Sequence, residues 1–298
     1  MKNRSTLLRL ALPALAVSFA AAAHAAPTPS PKEAWARELA DYERTLRESP
    51  TSYLNLNDMA YLEPKGKVGL DPKAPHAAAR WIKDPAPGKG LLTVRRDGTT
   101  VRVQDGTGRN LAGLGDGGHW TSPNGLLLSV GAGRFNVRVG LHDPRSPSQK
   151  AFRGLSYFPY APDLVVRADF QRNAKPEPVR FETSRKLFKD GFKVGVLRFV
   201  RDGTPCALEA FALGPLNGPH AELYVPFRDA TTGRESYGGG RNVDIPLPGG
   251  VRSGPVTVDF NRAYNPLCAR SPFFNCILYP GNKLPIAIRA GEKAPPPH

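Results

Sequence analysis

The chain has 298 residues, 40% of them hydrophobic and 22% charged, with 41 Lys and Arg against 26 Asp and Glu and a formal net charge of +15. No run of five or more basic residues makes a basic arm, which argues against a specific nucleic-acid ligand, and the plain reading of the excess charge is solubility. No stretch approaches the ~20 apolar residues of a membrane span, so the chain reads as not transmembrane.

The first segment, MKNRSTLLRLALPALAVSFAAAAHA, has a basic start, an apolar middle and the ending Ala23-His24-Ala25. This pattern predicts a signal peptide over 1–25, cleaved after Ala25, and a periplasmic or secreted protein. Removal leaves 273 residues and a formal charge of +12, enough chain for one large or two modest domains, of which two lobes are the preferred reading.

Ser30-Pro31-Lys32-Glu33 is a capping box with proline at the first helical position, and Trp35, Leu39, Tyr42 and Leu46 follow at helical spacing. An amphipathic docking helix is predicted within 26–50, ended by Ser49-Pro50. From Ser52 the texture changes to short apolar runs cut by turns. Asp97-Gly98 joins two alternating segments as a hairpin does, and GLLLSV and FNVRVGL continue the pattern, so 51–142 reads as a first antiparallel sandwich or barrel. Residues 143–163, rich in Pro and aromatics, form a packed connector. VVRADF, PVRFET, FKVGVLRFV, the turn Arg201-Asp202-Gly203-Thr204, CALEAFAL and AELYVPF make 164–293 a second β lobe. Residues 294–298 read as a disordered tail. The fold class is all-β, mainly antiparallel, with one N-terminal amphipathic helix.

Several motifs fail on context. Gly113 to Gly118 matches G-x-G-x-x-G by letter, but a strand rather than a helix follows it, so it is a loop. G-x-S-x-G, S-x-x-K and H-E-x-x-H are absent. The five histidines beyond the signal are too scattered for a ligand pair, and Asp259 to Asn265 lacks the Gly and Glu of a calcium loop. No metal or cofactor is implied. Cys268 and Cys276 are close enough to close a small loop, and a disulfide between them is expected, while Cys206 reads as a buried apolar residue.

The last quarter carries the densest polar pattern. Arg228, Asp229, Tyr237, Arg241, Asp259, Asn261, Tyr264 and Asn265 crowd between Gly and Pro turns and must satisfy one another or hold a ligand. One reading is a binding module, with Arg228, Arg241, Tyr237 and Tyr264 holding an anionic or carbohydrate envelope ligand. A second is a hydrolase with Asp229 or Asp259 as general acid or base. The third is a structural network, pairing Arg241 with Asp259 or Asp229, in a partner-docking protein.

YGGGR, DFNRAYNPLCARSP, Cys276 and LPIAIRAGEK resemble the bacterial family catalogued as domain of unknown function 1684, whose members read TYGAGR, DFN-x-AYNPPCA, a second Cys and AGEK. The resemblance is specific over Phe227 to Lys293 and weaker but continuous back to the helix. Gly239 replaces an alanine and Leu267 a proline, while Tyr237, Arg241, Asp259, Asn261, Tyr264, Asn265 and both cysteines keep the pattern. The resemblance implies no activity. The early half is similar to a forkhead-associated sandwich, but the Arg and Ser-x-x-His of phosphothreonine reading are missing.

Overall fold

The structure, a computed structural model, describes residues 29–86, 90–132 and 136–296. The signal segment 1–25 lies outside the described residues.

Helix α1 spans Pro31–Glu48. Its start is fixed reciprocally: the Glu33 N–H donates to Ser30 Oγ (3.3 Å) and the Ser30 N–H donates to Glu33 Oε2 (2.8 Å). Leu46 is buried, Trp35 and Leu39 are half-buried, and Tyr42 stays 40% exposed. The apolar stripe therefore docks at both ends and leaves its middle open over a cleft.

The next nine strands are β1 (Leu56–Leu62), β2 (Lys67–Leu70), β3 (Ile82–Lys83), β4 (Leu92–Asp97), β5 (Thr100–Gln104), β6 (Asn110–Leu114), β7 (His119–Thr121), β8 (Leu127–Ala132) and β9 (Val137–His142). They form two antiparallel sheets, ordered β1-β9-β8-β7 and β3-β2-β4-β5-β6. Inward residues of both sheets, among them Val94, Val101 and Val103 from one and Leu128, Val139 and Leu141 from the other, share one core. That makes the unit a sandwich. The β4–β5 hairpin pairs Asp97 with Thr100, and Gly98 takes φ +63° as a tight hairpin turn needs.

After the short helix α2 (Pro147–Ala151) come β10 (Val165–Phe181), β11 (Lys189–Arg201), β12 (Thr204–Ala212), β13 (Glu222–Phe227), β14 (Arg241–Pro246) and β15 (Gly254–Asp259). They make one six-stranded antiparallel sheet, β14-β13-β12-β11-β10-β15, whose two outer strands approach each other. Asp202 and Gly203 both take positive φ at the β11–β12 turn. Phe170, Leu197, Leu208, Leu223 and Phe260 fill the core. The irregular chain after β15 is stitched on by main-chain bonds: Arg228 N to Asn282 O, Leu284 N to Arg228 O, Ala230 N to Ile286 O and Glu292 N to Ala263 O. Ala294 still donates to Glu235 O, so paired chain continues into the expected tail.

The sandwich and the six-stranded sheet meet at Tyr61 of β1. Its hydroxyl donates to Phe273 O (3.1 Å) and accepts from Asn275 N (2.8 Å), and Arg185 lies 5.6 Å over its ring. Fold class thus stands as read: mostly antiparallel β with one helix near the N-terminus.

Candidate functional site

The polar residues of the last quarter separate into a buried knot and the walls of two clefts. The knot centres on Arg241, whose side chain is 1% exposed. Gly240 places it there, with φ +91° and so little room that an added Cβ would sit 2.8 Å from Phe227 O. Arg241 NH1 donates to Ala290 O and Glu292 O, and NH2 donates to Ile288 O (2.7 Å) and Asp229 Oδ2 (3.2 Å). Phe227 and Phe158 flank the guanidinium at 5.3 and 5.7 Å. Burial pushes its pKa down, and the charges of Asp229 and Glu292 oppose that. Asp229 in turn accepts from Thr231 Oγ1, Thr232 Oγ1 and Ile288 N. Both charges are therefore spent inside the protein. This is the arrangement of the structural network, with Asp229 as the partner of Arg241: the guanidinium ends face carbonyls and a carboxylate, not a cleft.

Asp259 caps the turn after β15, accepting from Asn261 N and Nδ2 and pairing with Arg262 (3.3 Å). Asn261 also exchanges two hydrogen bonds with the Ala161 main chain, and its carbonyl accepts from Trp35 Nε1. Neither Asp229 nor Asp259 lines either cleft. Arg228 is half-buried and joined through its main chain to the C-terminal segment. Tyr237 packs against Gly239, where a side chain would meet its ring at 2.4 Å.

The first cleft, about 370 Å³, lies under α1 between Trp35, Leu39 and Tyr42 on one side and Asn261, Tyr264 and Asn265 on the other. Its charges are matched, Arg262 with Glu38 and Arg270 with Glu292 (2.6 Å). Burial raises Glu292, and Arg270 pulls it back. Gly291, at φ +74° and against Ala263 O, packs the segment bearing Glu292 onto this wall.

The second cleft, about 240 Å³, opens where the sandwich meets the six-stranded sheet. The sandwich contributes Tyr61, Asn136 and Arg138; the sheet contributes Lys189, Tyr224 and Asn242; the C-terminal segment contributes Tyr264, Asn275 and Cys276. No carboxylate is among its lining residues. Burial lowers the Lys189 pKa, the like charge of Arg138 lowers it further, and the two sulfurs of Cys276 and Cys268 act in the opposite sense. Asn275 is 5% exposed, and its Nδ2 has no partner among the described residues. The phenols are aimed by the sheet: Tyr224 OH donates to Asn242 Oδ1 (3.0 Å) and Tyr264 OH to Asp244 Oδ2 (2.8 Å). Asp244 is raised to about 6 by burial, which the Tyr264 hydrogen bond opposes.

Of the eight residues singled out from the sequence, only Tyr264 lines this cleft. Arg138, Lys189, Tyr61 and Asn275 were missed, because only the docking of the two sheet systems brings them together. Cys268 and Cys276 are free thiols here rather than the expected disulfide, with Cys268 N donating to Cys276 Sγ (3.1 Å). Cys206 is buried as expected. Among the described residues, no three His, Cys, Asp or Glu side chains gather as a metal site requires.

One further arrangement imitates a catalytic triad. Ser129 Oγ lies 2.8 Å from His142 Nε2, and His142 Nδ1 lies 2.9 Å from Asn55 Oδ1. His142 is 2% exposed and burial lowers its pKa to about 4, which makes it a poor base at neutral pH. Ser129 and His142 line neither cleft, and the group reads as a satisfied core network.

A family model described as a protein of unknown function, DUF1684, matches residues 150–293. The chain is also similar to an uncharacterised protein of Haloarcula marismortui with a solution NMR structure, at 39% identity over 51% of this chain and 82% of that one, with a TM-score of 0.43. No curated protein matches.

Proposed function

The chain belongs to the DUF1684 family of proteins of unknown function, and from that premise we propose that it is an exported binding module whose inter-lobe cleft holds a small anionic, sugar-like envelope ligand. The observation that carries this reading is the lining of the cleft: two cationic side chains, three phenols and three amides with no carboxylate among them. Like charges held together under partial desolvation raise each other's free energy, and an anion between them relieves that cost. Amides and phenols on the remaining walls suit hydroxyl groups, the usual division of labour in a small-molecule cleft. The basic, apolar and small-residue order of the first 25 residues supports export, and among the described residues no helix is long and apolar enough to cross a membrane. Asp229 and Asp259 are occupied by internal bonds, which weighs against the hydrolase alternative.

Calorimetric titration with inorganic phosphate, glucuronate and glucose tests the reading. Saturable binding of the two anions, none of glucose, and about tenfold weaker anion binding by Lys189→Gln are expected. Anion binding that is absent, or unchanged in Lys189→Gln, would overturn it.

A further inference from the structure

The two thiols at the inter-lobe cleft are not equivalent. Cys276 lines the cleft and Cys268 does not. Cys276 is held from several directions: its N–H donates to Ser184 Oγ (3.1 Å), its carbonyl accepts from Ser184 N (2.9 Å), and its sulfur accepts the Cys268 N–H (3.1 Å). Cys268 sits on a single 3-10 turn, Leu267–Ala269, that aims its main-chain N–H at the Cys276 sulfur. The hydrogen bond from the Cys268 thiol favours the Cys276 thiolate, burial opposes it, and the Cys268 and Leu267 N–H groups and the Lys189 charge favour it again. The Cys268 thiol is pushed the other way, first by that same hydrogen bond and then by burial. Such surroundings stabilise a thiolate, the species that attacks disulfides. Both residues are half-buried, and Cys276 is the one at the cleft wall. Cys206 makes the internal contrast: it is 4% exposed on β12, and burial raises its thiol pKa.

We propose that Cys276 and Cys268 form a thiol–disulfide exchange centre, with Cys276 as the attacking thiol in the cleft, Cys268 as the resolving thiol behind it, and a carboxylate-bearing low-molecular-weight disulfide as substrate. The substrate class rests on the anion-binding reading of the same cleft. The Cys276 thiolate attacks one sulfur of the substrate, the substrate S–S bond breaks, and one thiolate leaves and takes up a proton. Cys268 then gives up its proton and attacks Cys276 Sγ in the mixed disulfide, expelling the second substrate thiolate, which is protonated in turn. The pair is oxidised by two electrons to a Cys268–Cys276 disulfide, and the substrate disulfide is reduced to two thiols. The disulfide expected from the sequence is then the oxidised half of a cycle. Arg138 and Lys189 hold the substrate carboxylates beside the attacking sulfur.

The test uses the reduced full chain with glutathione disulfide as probe, followed by mass spectrometry and peptide mapping. The expected result is a Cys268–Cys276 link, release of both glutathione thiols and an unmodified Cys206. Cys268→Ser, with Cys268→Ala as a second variant, should stop at a glutathione adduct on Cys276. Lys189→Gln should slow the reaction with glutathione disulfide about tenfold relative to uncharged hydroxyethyl disulfide. Reaction of Cys276 no faster than Cys206, or an adduct on Cys268 instead, would overturn the exchange centre. Equal slowing, or none, with the two disulfides would overturn the substrate class. Phosphate titration of a Cys276→Ser variant, which cannot exchange, reads the anion cleft separately.

Discussion

Arg241 and Lys189 are both basic residues drawn out of bulk water, yet they differ in what surrounds them. Arg241 is enclosed with Asp229, three main-chain carbonyls and two phenylalanine rings. Lys189 shares a cleft with Arg138, and no carboxylate joins them in the lining. A charge enclosed by its partners at 1% exposure holds a fold together, whereas like charges that line an open cleft act on whatever enters it. The lesson is that an arginine in a polar motif points to a site only when its partners are counted.

The comparison is broken most forcefully at the knot. Arg241→Ala should cost about 3–5 kcal/mol in denaturant unfolding, because Asp229 and the carbonyls it leaves remain buried without a partner. Lys189→Gln should cost about 1 kcal/mol or less, since the side chain is only half-buried, while weakening anion binding. Equal destabilisation by the two substitutions would erase the distinction.

Acid sets the range over which the comparison can be made. His142 has a folded pKa of about 4 against an ordinary 6.5, so its neutral form is favoured by folding. The stability it supports is fully present above pH 6.5 and declines as pH falls towards 4, by about 3 kcal/mol in all. Asp244 acts in the opposite sense: its folded pKa of about 6 lies above the ordinary 3.8, so protonation relieves a folding penalty as pH falls between those values. The slope of unfolding free energy against pH for wild type, less that of His142→Gln, isolates the histidine.

A smaller effect sharpens the cleft itself. Tyr61→Phe removes the hydroxyl that joins Phe273 O and Asn275 N across the two sheet systems, at a cost of about 1–3 kcal/mol. Anion affinity should fall with it, because Arg138 and Lys189 come from opposite sides of that junction. Thermal unfolding and phosphate titration of the same variant check both statements.

Legibility followed the range of the interaction. The Ser30 capping box, the Asp97-Gly98 turn and the Asp202-Gly203 turn are local, and the sequence predicted all three. The Arg241 partner was narrowed to Asp229 or Asp259, since both lie in the same crowded segment; only the path of the chain through Gly240 decides between them. Arg138 and Lys189 sit on strands of different sheets and carry no pattern of their own. They became neighbours through Tyr61 and Asn275, a contact that no periodicity or spacing encodes. The cysteine spacing revealed proximity but not that one sulfur faces a cleft while the other stands behind it.

The most direct measurement follows the Lys189 ammonium by NMR titration, without and with saturating inorganic phosphate. The account predicts a pKa below the ordinary 10.5 in the free protein, rising when phosphate is bound, with affinity lost as pH climbs through that lowered value. A pKa that does not move on adding phosphate would contradict the claim that this cleft is built to hold an anion.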